Sequence, residues 1–158
     1  MQHNKPISVL GDVISSKLHN GSLLHELAEL VIEYNDGWEQ YVSYPIKDGM
    51  KYKRQLVSRN KDVDVVVISW NPDQFSGLHD HPSNGCIMHV VQGQLQEDVY
   101  IKETDTVFTL SKSNKIEAGQ TSYIQGESGI HNIINSSTES VSIHVYSPPN
   151  YKLTYYNP

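Results

Sequence analysis

Two histidines, His79 and His81, flank Asp80 in the stretch Gly77-Leu-His-Asp-His-Pro, and a third, His131, follows far along the chain in Gly129-Ile-His131. In an extended strand, side chains two residues apart project to the same side. His79 and His81 can therefore aim their imidazoles at one point while Asp80 faces away. A third imidazole from a distant strand completes a set on one side of an ion and leaves the opposite positions open. Open positions are what separate a catalytic metal from a structural one. Cys86, the chain's single cysteine, stands just beyond the pair. His-x-His alone is more commonly an exposed pair on a surface strand. Its context raises it to a candidate metal site: Gly77 precedes it, and a second block reads Gly126-Glu-Ser-Gly-Ile-His131-Asn-Ile-Ile-Asn135.

Short β-rich runs must position these residues. From about Tyr52 onward, runs at 63–70, 86–92, 94–101, 106–110, 121–124, 131–135 and 141–146 are bounded by turn residues and read as strands. Gln92-Gly93-Gln94 between two of them reads as a hairpin turn. Many short strands at regular intervals predict a closed sandwich or barrel around a cavity. The first part is different. Ile7, Leu10, Val13 and Ile14, then Leu23, Leu24, Leu27, Leu30, Val31 and Tyr34, follow helical spacing. Asn20-Gly-Ser22 separates the two segments and Asn35-Asp-Gly37 supplies a stop. The expected architecture is α+β and mainly β, one domain spanning residues 1–158. Residues 1–45 form a helical flank packed outside, and 46–158 form a small β-barrel that carries the metal site.

Bulk properties narrow the partners. At 158 residues the chain is long enough for a real core. A net charge of -6 argues against nucleic acid or an anionic membrane as partner. No apolar run approaches bilayer-spanning length, and the first residues lack the layout of a signal peptide. One cysteine allows no intrachain disulfide, so a reducing cytoplasm is the expected compartment.

The two histidine blocks resemble the paired metal-binding motifs of the cupin barrels. In these, His-x-His is usually followed by a Glu ligand, and a later His by Asn four positions on. Here Cys86 stands near the place of that Glu. Three uncharged ligands leave a divalent ion its full charge, which favours an anionic ligand such as a thiolate. This substitution points to the thiol dioxygenases, and the chain resembles the cysteine dioxygenases of eukaryotic type. The matching pieces are Tyr52-Lys-Arg54, Trp70, His79-Asp-His81, Cys86 with Val91-Gln-Gly93, Gly129-Ile-His131, and Ser142-Ile-His144-Val-Tyr146-Ser-Pro-Pro149. They run in family order over nearly the whole chain.

The resemblance implies roles for these residues. His79, His81 and His131 match the ligands of Fe(2+); three imidazoles also suit zinc, but activation of dioxygen demands a redox-active metal. Arg54 matches the residue that grips the substrate carboxylate, a task suited to a planar, permanently charged guanidinium, with Tyr52 placed to assist. Cys86 and Tyr146 match a pair that can be joined by a thioether. Ser142, His144 and Tyr146 match a hydrogen-bonded relay, in which His144 either transfers protons or only positions Tyr146. Trp70 is expected in the core rather than in contact with substrate. His89 should turn away from Cys86, and His3, His19 and His25 fall in the helical flank with no role. Nothing chemical is read into the tyrosines of 151–156.

The implied reaction is oxidation of L-cysteine by dioxygen to cysteine sulfinic acid, in cysteine catabolism toward taurine and sulfate, by a cytoplasmic monomer. The nearest competitor is a dioxygenase for another small thiol, such as 3-mercaptopropionate; related mercaptopropionate enzymes carry glutamine at the position of Arg54. A competitor from another class is a cupin that binds metal without catalysis. Tyr52-Lys-Arg54 and the Ser-x-His-x-Tyr strand argue against it.

Overall fold

The computed structural model describes residues 4–42 and 52–157. His3 and the expected boundary at 45/46 lie outside the described residues. Among the described residues, ten strands build two five-stranded antiparallel sheets. The first runs β1 (Lys53–Arg59), β2 (Asp64–Trp70), β9 (Ser140–Ser147), β4 (Gly85–Gln92), β7 (Thr121–Ile124). The second runs β10 (Tyr155–Tyr156), β3 (Leu78–His79), β8 (Ile130–Ile134), β5 (Gln94–Lys102), β6 (Phe108–Glu117). The expected closed barrel is thus a jellyroll, in which two separate sheets form a shared core.

The two central strands of the first sheet are buried along their entire length, which explains the near-continuous apolar runs of β2 and β9. Their outer side chains, Val65, Val67, Ile143 and Val145, join Ile87 beneath the helical flank. That flank consists of α1 (Leu10–His19) and α2 (Ala28–Glu33), each preceded by a 3-10 turn, at Ile7–Val9 and Leu24–Leu27. Ile7, Leu10 and Ile14, then Leu24, Leu27 and Val31, are buried at helical spacing, so the flank covers the outside as the sequence predicts. Truncating one of these, for example Leu10→Ala, is expected to cost roughly 2–5 kcal/mol. The inner faces of the two sheets share a second cluster that includes Val66, Ile68, Trp70, Met88, Leu95 and Ile133.

Two expectations need correction. Gln92-Gly93-Gln94 is no hairpin, because β4 pairs with β7 and β9 while β5 pairs with β6 and β8. The chain crosses here from one sheet to the other. Gly93 makes the corner possible: its φ is +73°, and an added Cβ would lie 2.2 Å from Ser140 Oγ. The sheets also hold more strand than expected. The expected strand at 106–110 runs from Phe108 to Glu117, and β1, β3 and β10 were not expected. β1, β6 and β10 sit at sheet edges, where one side of the strand needs no partner and charged residues are favoured. Lys53-Arg54-Gln55 and Ser111-Lys-Ser-Asn-Lys115 accordingly carry no apolar alternation.

Candidate metal centre

His79 in β3 and His131 in β8 are direct cross-strand partners in the second sheet. His81 lies just past the end of β3, in irregular backbone, so the expected extended strand ends one ligand early. Its ring still reaches the other two. His131 Nε2 lies 3.0 Å from His81 Nε2 and 3.1 Å from His79 Nε2. All three residues are buried.

The other ring nitrogens fix the tautomers. His79 Nδ1 donates to the Gly77 carbonyl at 2.8 Å, His81 Nδ1 to the Gly129 carbonyl at 2.6 Å, and His131 Nδ1 to Glu97 Oε2 at 2.8 Å. Carbonyl and carboxylate oxygens only accept, so each ring spends its proton on Nδ1 and turns a bare Nε2 lone pair toward the others. Burial pulls the His79 pKa down to about 4 and the His81 pKa down to about 2, and takes His131 well below the usual imidazole range. Three uncharged donors converging on one point, with outer partners already assigned, fit a divalent transition-metal ion.

Backbone geometry supplies two of those outer partners. Gly77 has φ +84°, a left-handed conformation that turns its carbonyl back onto the His79 ring. At Gly129 an added Cβ would lie 2.4 Å from the Gln125 carbonyl oxygen, so only glycine lets the chain pass closely enough for its carbonyl to reach His81. The third partner, Glu97, was missed in the sequence. It is buried on β5 on the same face as Leu95, and its second oxygen accepts from Ser122 Oγ at 2.7 Å. The available signal was a carboxylate at an inward position of an alternating strand. Glu97 also changes the charge balance, because the ion would not face neutral groups alone.

The first sheet supplies the opposing wall. Tyr52, Arg54, Trp70, His144 and Tyr146, with His79 from the other sheet, line a cavity of about 10 Å³, the room of a single water. The Arg54 guanidinium lies 5.2 Å from the centre of the Tyr146 ring. Tyr52 packs against Trp70 with ring centres 4.8 Å apart and the planes tilted by 32°. Cys86 and Tyr146 are direct cross-strand partners, and Cys86 Sγ is 3.8 Å from His144 Nδ1. Burial pushes the Cys86 thiol and the Tyr146 phenol well up from their ordinary pKa values, so both are neutral.

Trp70 has more to do than fill the core. Its Nε1–H donates to Ser142 Oγ at 3.0 Å, and Ser142 Oγ lies 2.8 Å from His144 Nε2. An indole only donates, so the arrangement satisfies Ser142 best when its hydroxyl donates onward to Nε2. His144, kept neutral first by burial, then carries its proton on Nδ1, 3.4 Å from the Tyr146 hydroxyl oxygen. The chain of contacts has a direction, from Trp70 through Ser142 and His144 to Tyr146.

Other residues fall outside the site. His89 shares the outer face of β4 with Ile87, away from Cys86, and is buried. His19 pairs with Asp62 at 2.9 Å on the surface, and the His25 ring lies tilted against Tyr123. Asn135 ligates nothing: its amide nitrogen holds the carbonyls of Trp70, Asn71 and Thr138. The tyrosine-rich segment does reach the centre. Tyr155 pairs with His79 across β10 and β3, and its ring centre is 5.6 Å from that of His79.

Comparison with known proteins agrees with this geometry. A family model described as cysteine dioxygenase type I matches residues 5–158. Human cysteine dioxygenase type 1 is 29% identical over 133 residues, covering 80% of this chain and 66% of the human protein. The zebrafish protein of the same description is 27% identical over 132 residues, with the same coverage of 80% and 66%. The chain thus spans somewhat less than two thirds of the length of the curated relatives it matches. Among solved structures, a Klebsiella pneumoniae protein with a double-stranded β-helix domain superposes with TM-score 0.61 at 20% identity, covering 78% of this chain and 92% of that one. A cupin superfamily protein from Desulfitobacterium hafniense gives TM-score 0.55 at 6% identity, covering 72% and 89%. The fold is that of the cupins.

Proposed function

The chain belongs to the type I cysteine dioxygenase family, and from that premise we propose that it oxidises L-cysteine with dioxygen to cysteine sulfinic acid, using Fe(2+). The observation that carries the reading is the meeting of two half-sites across the core. Three proton-free Nε2 atoms gather at one point, from His79 and His131 on one sheet and His81 just past β3, and His79 shares a cavity with Arg54, His144 and Tyr146 of the other sheet.

His79, His81 and His131 would hold the iron, which when bound supplies adjacent positions for a thiolate and for dioxygen and the redox chemistry that joins them. Arg54 and Tyr52 bind the carboxylate of cysteine at the outer side of the cavity, which orients the thiol toward the histidines. Tyr146 holds a proton at its hydroxyl, ready to hydrogen-bond an oxygen as it passes to sulfur, and His144 fixes that hydroxyl in place. Both oxygen atoms end on the sulfur, which furnishes all the electrons dioxygen accepts, so no external reductant is required. Cys86 and Tyr146 are poised for a thioether that would lock the phenol. Trp70 and Ser142 keep His144 oriented.

The reading carries with it a place in cysteine catabolism toward taurine and sulfate, as a monomer in the cytoplasm. Among the described residues no helix is long and apolar enough to cross a membrane. The test is aerobic incubation of the iron-loaded protein with L-cysteine, cysteamine and 3-mercaptopropionate, with products identified by mass spectrometry. Cysteine sulfinic acid as the preferred product supports the proposal. A preference for mercaptopropionate would transfer it to another thiol, and no oxygen uptake with any of them would leave a metal-binding cupin without catalysis.

A further inference from the structure

The cavity between the sheets is closed on nearly every side. Of the described residues that line it, Ile68, Trp70, Ser76, His79, Ile133, His144 and Tyr146 are buried, while Tyr52 and Arg54 reach the surface. The way into this cavity among the described residues is therefore past Tyr52 and Arg54. Tyr155 stands at that point. Its hydroxyl lies 2.9 Å from the hydroxyl of Tyr52, its ring leans on His79, and half of its surface is exposed. β10 holds it there through pairing with β3, reinforced at the preceding residue by Thr154, whose amide donates to Asp80 Oδ1 at 2.8 Å.

We infer that Tyr155 is a positioning and specificity-determining residue for the carboxylate of the substrate, acting through Tyr52; this rests on the proposed thiol oxidation. A carboxylate accepts hydrogen bonds and cannot donate them. Tyr52 serves such a ligand only if its own proton turns toward it. The Tyr155 hydroxyl makes that orientation favourable, because it can donate to the Tyr52 oxygen and leave the Tyr52 proton for the substrate. Arg54, also a partner of Tyr52, can only donate, so it reinforces the same direction. Arg54 and Tyr52, the latter oriented by Tyr155, then present donors to a carboxylate at the mouth, and a thiol lacking that group gains nothing from them.

The test uses Tyr155→Phe, which keeps the ring and removes the hydroxyl, alone and combined with Tyr52→Phe, in the full-length iron-loaded protein. Dissociation constants for L-cysteine and cysteamine are measured calorimetrically without oxygen, and KM and kcat with it. One lost hydrogen bond near the surface predicts that Tyr155→Phe weakens L-cysteine about three- to ten-fold in dissociation constant and KM, with kcat within about two-fold. Cysteamine binding should not change. Added to Tyr52→Phe, the second substitution should cost nothing more, because its effect passes through the missing hydroxyl. An equal loss for both thiols, a full additional loss in the double variant, or unchanged cysteine binding would each overturn the inference. Failure of the unsubstituted protein to bind either thiol would instead sink the proposed function itself and the inference that rests on it.

Discussion

Glu97 Oε2 accepts the Nδ1 proton of His131 at 2.8 Å, which places a buried carboxylate directly behind one of the three candidate ligands. The contact fixes the ring and makes its Nε2 a stronger donor. It also brings negative charge toward an ion that the imidazoles themselves cannot neutralise.

Replacing that charge while keeping an acceptor is the informative change. Glu97→Gln is expected to weaken iron binding by about ten- to a hundred-fold, the usual penalty for removing an outer partner of a metal ligand. Competition with a chelator, read by metal analysis, checks it. Retention at the unsubstituted level would mean that Glu97 is merely a buried structural acid.

Arg54→Gln removes the only guanidinium that lines the cavity. Loss of a charged hydrogen-bonding pair predicts a KM for L-cysteine raised on the order of ten- to a hundred-fold. Iron content should stay the same, since Arg54 lies on the sheet opposite to His79 and His131. Metal analysis and steady-state oxygen uptake on the same preparation separate the two effects.

The Cys86–Tyr146 pair makes a prediction visible on a denaturing gel. Turnover in air should produce a second, faster-running band, because a thioether ties two distant parts of the chain together. Intact-mass analysis should find that species lighter by two hydrogens. Cys86→Ala should abolish it, and a doublet that persists would point to some other modification.

His89 gives a dependence on pH that is separate from the metal. Burial pulls its pKa down to about 4, from 6.5, and among the described residues its Nδ1 has no hydrogen-bond partner. Between those two values the unfolded chain takes up a proton that the folded chain refuses. Its contribution to stability is therefore complete above pH 6.5 and declines as the pH falls toward 4. His89→Leu should remove about 2 kcal/mol of the loss that metal-free protein suffers between about pH 7.5 and about pH 5. Urea unfolding at the two pH values measures it, and equal losses in both proteins would refute the assignment.

How far the sequence could be read depended on where each residue points. The meeting of His79, His81 and His131 was legible because histidines rarely cluster without cause and their two blocks carry nearby glycines. The helical flank was legible because Leu10, Ile14, Leu24, Leu27 and Val31 repeat at the period of a buried helical face. Glu97 was hidden because an acid inside a strand looks like any solvated charge until its neighbours across the sheet are known. The corner at Gly93 was hidden because a glycine between two apolar runs reads equally well as a hairpin or as a change of sheet. Tyr155 gave no signal, since its importance depends on pairing with a strand of two residues far away in the chain.

The stitching of β10 onto β3 couples occupancy of the histidine cluster to order in the final strand. Asp80 and Thr154 exchange two backbone-directed bonds, and Tyr155 faces His79 across the same ladder. By linkage, if an ion at His79 favours the ordered state of residues 154–156, that ordered state favours the ion by the same free energy. Amide exchange along the last strand would then act as a built-in gauge of metallation, readable without adding substrate or oxygen.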